Sequence, residues 1–175
     1  DRPRDGLSPA TAAGKARGMS GATPATQFLL RAQVAFRPVE YRYDPGSERV
    51  ALQAAEAIGL PPARLLKTLM VEVDGRPACA VLSGDRSLSM KRVAAAFGGK
   101  SAAMMPPAKA ERLTGYHTGG ISPFGQRRPV PVAFEADAMG FDEVAINGGR
   151  RGLLLLLSPR DALAALSAKA AVLSA

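Results

Sequence analysis

Tryptophan is absent from this chain, and cysteine and histidine occur once each, as Cys79 and His117. A zinc site of the usual ligand types needs three or four such side chains, so that chemistry is excluded. A lone cysteine closes no internal disulfide, which fits a reducing, cytoplasmic setting. Cys79 lies in the apolar run Ala78-Cys79-Ala80-Val81-Leu82 and reads as a small packed hydrophobe. His117 is the only histidine available as base for a nucleophilic triad. No Gly-x-Ser-x-Gly elbow occurs, since Gly120-Ile121-Ser122-Pro123-Phe124 lacks the second glycine. The complete phosphate-loop pattern and the dinucleotide Gly-x-Gly-x-x-Gly pattern are also missing. Aromatic residues make up 5% of the chain, so stacking platforms for single-stranded nucleic acid are scarce. No apolar run exceeds five residues, the length of Leu153–Leu157, whereas a membrane helix needs about 20.

Positive charge is what the chain has in excess. It carries 23 Lys and Arg against 15 Asp and Glu, a formal net charge of +8. Residues 1–18 contribute +2, leaving most of the excess on the remainder. Such a surface favours polyanions, nucleic acid among them, through phosphate contacts and counterion release. With 175 residues, 47% of them hydrophobic, a single domain with a real core is expected.

Residues 1–22 are rich in Pro, Gly, Ala, Ser and Thr without apolar period, and read as a disordered extension before a domain at 23–175. Thr23-Pro24 predicts a helix start, with Phe28, Leu29 and Ala32 facing a core. Val39–Tyr43 alternates as a strand, Asp44–Ser47 reads as a turn, and Val50–Ile58 as a helix closed by Gly59. Leu66–Val73 and Ala78–Ser83 flank Asp74-Gly75 as a hairpin. Helices are predicted at Ser89–Phe97, Ala108–Leu113 and Pro159–Leu166. Strands are predicted at Val130–Phe134, Val144–Asn147 and Leu153–Leu157, the last two joined by a tight turn. Strands and helices interleave without a repeat, so the fold class is mixed α/β or α+β. Glu72 and Asp74 read as solvated carboxylates beside a turn.

Two features point toward chemistry. The first is Thr114–Gln126, which holds four glycines and a proline. Ordering glycine costs the most backbone entropy, and a chain accepts that where it bends sharply or approaches something closely. The stretch is either a plain turn or a cradle of backbone N–H groups for a phosphate or oxyanion. The second is Lys67, inside the apolar run Leu65–Val71. It is either an edge residue reaching solvent or a cation at a pocket mouth.

Together, Thr23-Pro24-Ala25, Tyr41–Pro45, Leu66-Lys67-Thr68-Leu69, Lys91–Gly98, Thr114–Gly125 and Gly148–Gly152 resemble, in order, the YbaK/EbsC family, free-standing relatives of the prolyl-tRNA synthetase editing domain. The resemblance spans about residues 23–170 and is nearest the Cys-tRNA(Pro)/Cys-tRNA(Cys) deacylase branch. It implies a curved mixed sheet or barrel surrounded by helices, and hydrolysis of the ester joining an amino acid to a mischarged tRNA, with no cofactor or metal. Lys67 would hold the tRNA end, and the loop containing Gly119, Gly120, Ser122 and Pro123 would polarise the ester carbonyl. Tyr41, Val50, Thr68, Ile121, Asn147 and Leu154 would surround the aminoacyl group. Lys91, Arg92, Arg127, Arg128, Arg150 and Arg151 would contact tRNA backbone or simply form a solvated basic surface. The implied partners are tRNA(Pro) and prolyl-tRNA synthetase, with no membrane. Asn147 and Leu154 stand where the family's pattern has Ser and an acid. The resemblance makes cysteine the first expectation for the amino acid, and these two departures make alanine or another small one the alternative. A non-catalytic tRNA- or synthetase-binding module is the second class.

Overall fold

The computed structural model describes residues 22–43 and 55–175. The reading of 1–22 as a disordered extension falls almost wholly outside these residues, as do the turn at 44–47 and most of the helix expected at 50–58. Residues 55–58 are helical. The first complete helix, α1 (Pro24–Arg31), starts as its sequence predicts. The Thr23 side chain accepts from the Thr26 N–H, and Thr26 reciprocates in a capping box. Leu29 is buried and Phe28 partly so, but Ala32 is exposed, because α1 ends at Arg31 and Ala32 is its C-cap.

Strand β1 is Arg37–Glu40, so the expected strand at 39–43 begins and ends earlier. Tyr41 leaves the ladder and donates its N–H to Gly152 O at 2.9 Å. Then come β2 (Leu65–Val73) and β3 (Arg76–Ser83). They are joined through Asp74 and Gly75, at φ 51° and 82°, the left-handed pair that a two-residue hairpin demands. Asp74 does more than meet solvent. Its carboxylate accepts the Lys100 and Ser101 N–H groups, which hold its pKa below the ordinary value. Likewise Glu72 pairs with Lys109.

Helix α2 (Met90–Ala96), strand β4 (Ala102–Met104) and helix α3 (Pro107–Thr114) follow. Strands β5 (Val132–Glu135), β6 (Val144–Asn147) and β7 (Leu153–Leu157), helix α4 (Pro159–Ala165) and strand β8 (Lys169–Ala171) complete the chain. The eight strands of the described residues form one mixed sheet in the order β1-β7-β6-β2-β3-β5-β8, with β4 also on β2. The fold is therefore mixed α/β. Among the described residues no helix is long and apolar enough to cross a membrane.

The two faces of the sheet are covered differently. Leu66, Met70, Val81, Phe134, Ile146, Leu153, Leu155 and Leu157 share one continuous core with α1, α3 and α4. On the opposite face Val71, Val73, Ala78 and Ala80 pack on Val93 of α2. Leu65, Ala145, Leu154 and Leu156 pack on Ala55. The five-leucine run of β7 is thus buried on both sides, as a strand without alternation should be. Between the two smaller clusters the second face is left open around Lys67 and Leu69.

Candidate functional site

The opening arises from how β2 is paired. One edge of β2 runs along β3 from Leu66 to Val73. Its other edge pairs in parallel with β6 only at Leu65 and Leu66, and antiparallel with β4 only at Val71–Val73. The sheet is split at the four residues between. Lys67, Thr68 and Leu69 are the only consecutive half-exposed residues of β2. Alternate residues of a strand direct their peptide groups to opposite edges. Met70 O accepts from Met105 N at 3.1 Å across this edge. The Thr68 peptide groups, two residues earlier, therefore face the split.

A cavity of about 340 Å³ occupies it. That is the small end of ligand-site volumes. β2 supplies Lys67, Thr68 and Met70; β6 and β7 supply Asn147 and Leu154. Tyr41 closes one side, Met104, Met105 and Pro107 another, and Thr118, Gly119 and Ile121 the third. The methionine wall was not foreseen from sequence. Only the pair Met104-Met105 before two prolines offered a sign of it.

Lys67 makes no ion pair among the described residues. Its Nζ donates to Gly84 O at 3.4 Å, a long bond. Burial pushes its pKa down, and the Asp85 charge pulls it partly back. Beside it, Thr68 Oγ1 is buried with no hydrogen-bond partner among the described residues. Tyr41 is half-buried, and burial raises its pKa.

The facing wall is tied down tightly. The Gly120 N–H donates to His117 O at 2.8 Å, closing a turn in which Gly119 has φ +89°. A type II turn favours glycine at that place. A methyl on Gly120 would stand 2.9 Å from Arg150 Cα and Arg151 N, so the loop lies flush on the β6–β7 turn. Asn147 staples the two segments. Its Nδ2 donates to Gly119 O at 3.2 Å and its Oδ1 accepts from Gly149 N at 2.7 Å. The Thr118 peptide groups are fixed on both sides, with Thr118 N donating to Glu111 Oε2 at 2.8 Å and Arg151 Nε donating to Thr118 O at 2.9 Å. The Gly119 and Ile121 N–H groups donate to no protein acceptor among the described residues.

Of the loop residues singled out in the sequence, Gly119 and Ile121 reach the cavity. The Gly120 N–H is taken by its own turn. Ser122 is fully buried, and its Oγ accepts from Phe124 N at 3.2 Å. Pro123 is buried on the far side, against a second hollow with Phe28 and Arg31. Val50 lies outside the described residues. Among the basic residues, Lys91 is exposed on α2, while Arg92 donates to Ser174 O at 2.7 Å. Arg127 and Arg128 are exposed after the loop. Arg150 pairs with Glu40 at 2.6 Å, and Arg151 stands at the cavity rim.

The remaining reactive candidates are spent elsewhere. Burial pushes the Cys79 thiol up to about 12, so it stays protonated at neutral pH. His117 is exposed at the rim. Among the described residues no three of His, Cys, Asp and Glu stand together as a metal site would require.

Among the described residues, a cavity with a lysine outside any ion pair on one wall, loop amides without a protein acceptor on the other and no reactive nucleophile has the means to bind and polarise a substrate. The chain belongs to the aminoacyl-tRNA editing domain family, whose model matches residues 47–165. It is 29% identical over 143 residues to an Enterococcus faecalis protein with the provisional name Cys-tRNA(Pro)/Cys-tRNA(Cys) deacylase EbsC, covering 81% of this chain and 86% of that one. It is 32% identical over 96 residues to a proline–tRNA ligase of Acidithiobacillus ferrooxidans, covering 55% of this chain but only 17% of the ligase. A crystal structure described as a candidate trans-editing enzyme for prolyl tRNA synthetase superposes with a TM-score of 0.74 at 25% identity, covering 87% and 95% of the two chains.

Proposed function

We propose that this protein is an aminoacyl-tRNA deacylase that acts in trans, with Cys-tRNA(Pro) as its first substrate. The observation that carries the reading is the placing of Lys67 opposite Gly119 and Ile121 across a cavity in which the described residues offer no activated nucleophile. The family and the cysteinyl deacylase relative supply the substrate class. Lys67 holds the terminal nucleotide of the tRNA, and the loop amides face the ester carbonyl. Thr68 Oγ1 and Tyr41 border the aminoacyl group.

A cysteinyl ester brings its own nucleophile. Its sulfur attacks the carbonyl carbon, and the C–O bond to the ribose breaks. The thiol proton ends on the ribose oxygen, and the amino acid leaves as a cyclic thiolactone that water opens. The protein contributes proximity and stabilisation of the developing oxyanion. One such donor is worth roughly 3–4 kcal/mol where it has been measured. Gly120, Ser122 and Pro123 shape the loop on this reading, and Lys91, Arg92, Arg127, Arg128 and Arg150 remain candidates for outer tRNA contacts. Prolyl-tRNA synthetase is the partner that would select the tRNA.

The wall of Met70, Met104, Met105, Ile121 and Leu154 accepts a methyl as readily as a thiol, which favours Ala-tRNA as the second reading. Incubation with tRNA(Pro) charged separately with Cys, Ala, Ser and Pro decides. Release of Cys but not Ser or Ala supports thiol assistance. Release of Ala rules out an obligatory substrate thiol. Release of none, with Lys67-dependent binding kept, leaves a binding module.

A further inference from the structure

With the terminal ribose ester in the cavity, as the deacylase reading requires, the chain of preceding nucleotides leaves across the rim. One feature of the rim is built like a platform. The Arg151 guanidinium carbon lies 5.4 Å from the Tyr43 ring centroid. Its Nε is fixed by Thr118 O at 2.9 Å, which sets the plane of the fork. Thr118 and Gly119 themselves line the cavity, so this plane stands at its mouth. The guanidinium lies over the Tyr43 ring, and Arg151 remains exposed among the described residues. A planar guanidinium held this way offers an aromatic base a stacking surface. The Glu111 carboxylate, bound to the Thr118 N–H, is also close enough to interact with Arg151. That acid offsets part of the cation's charge, which favours stacking over simple attraction to a phosphate.

We propose that Tyr43 and Arg151 form a stacking shelf for an unpaired nucleobase next to the 3′ end of an RNA, immediately outside the cavity. The shelf rests on the deacylase reading and gives it a nucleotide subsite. It also supplies a stacking group in a chain whose few aromatics made one unexpected.

The test is fluorescence anisotropy with a fluorescein-labelled RNA hairpin bearing an unpaired 3′ CCA, beside the same hairpin blunt-ended. Tyr43→Leu keeps the Arg151–Thr118 bond but removes the ring. Arg151→Lys keeps the charge but removes the plane. Each should weaken binding of the overhang by about 5- to 30-fold, with blunt-end binding unchanged. Tyr43→Phe, which keeps the ring, should restore it. Unchanged affinity in both variants overturns the shelf. So does a parallel loss on the blunt hairpin. A loss confined to Arg151→Lys also overturns it, because that variant alone gives up the Thr118 bond. Amino acid release from charged tRNA(Pro), measured in parallel, separates the two claims. Wild-type release with unaltered overhang binding in the variants sinks the shelf alone. Absent release with ring-dependent overhang binding sinks the deacylase reading alone.

Discussion

The two walls of the cavity are built on opposite terms. On the loop side the polar groups are largely spent on one another. Asn147 spans Gly119 and Gly149, Glu111 and Arg151 hold Thr118, and Gly120 closes its own turn. On the strand side Lys67 has one long bond and Thr68 Oγ1 has none. An unpaired buried hydroxyl costs about 1–3 kcal/mol, so a fold optimised for stability alone would not keep it. The difference separates scaffold from site. The loop wall is braced by its own hydrogen bonds, and the strand wall leaves its polar groups uncommitted among the described residues.

Removing the free cation should have the largest effect. Lys67→Ala is expected to lower kcat/KM for Cys-tRNA(Pro) deacylation by about 10²–10³-fold, while thermal unfolding shows no loss of stability. A lysine that merely reached solvent would leave both unchanged. The opposite wall gives the next largest effect. Gly120→Ala places a methyl 2.9 Å from the Arg150–Arg151 backbone, which cannot move aside as a side chain could. Overpacking of this kind costs about 1–3 kcal/mol, and the displaced amides should lower kcat by about 10-fold. Here stability and activity fall together, unlike at Lys67. Equal behaviour of the two variants would erase the contrast between the walls.

Much of this contrast was visible in the sequence, for local reasons. Lys67 stood out as a charge in an apolar strand, and the glycine loop as a costly composition. The β2–β3 hairpin, β6 and β7 carry their own signals in Asp74-Gly75, in β-branched runs and in the leucine run. What escaped depends on topology. β4 and β8 are three-residue strands of mostly small side chains with no alternation to read. The split in the sheet exists only because β4 and β6 share one edge of β2 without meeting. Hence the methionine wall, which comes from β2, from the last residue of β4 and from the residue after it, could not be assembled from sequence. The double role of Asn147 was equally hidden, since it joins two turns 28 residues apart. Ala32 was misplaced because α1 ends one residue sooner than its apolar period runs.

Thr68→Val sharpens the comparison from the strand side. The substitution is nearly isosteric and removes the buried unpaired hydroxyl. Where the loop wall loses stability on change, this variant should gain about 1 kcal/mol in denaturant unfolding. Its kcat/KM should nevertheless fall by roughly 10-fold, the equivalent of about 1.4 kcal/mol in a barrier. A variant that is both more stable and fully active would show that the hydroxyl serves no ligand.

The smallest effect, and the most specific, concerns charge on the strand wall. Burial lowers the Lys67 pKa from 10.5, and Asp85 opposes that shift. The depressed value means that the folded protein releases this proton at lower pH than the unfolded chain does. The stabilising effect of a neutral Lys67 is present above the ordinary lysine range and is lost as pH falls through the folded pKa. At neutral pH the ammonium therefore carries a folding cost. If the charged form binds the tRNA end, deacylation should have an alkaline limb below 10.5. Asp85→Asn removes the charge that supports the ammonium, so the limb should move to still lower pH while the rate at pH 7 barely changes. The measurement is background-corrected kcat/KM against pH for both proteins. A limb that stays in place would mean that Asp85 does not act on the Lys67 ammonium. A limb that moves upward would reverse the sign of the electrostatic argument and leave Lys67 without its assigned role.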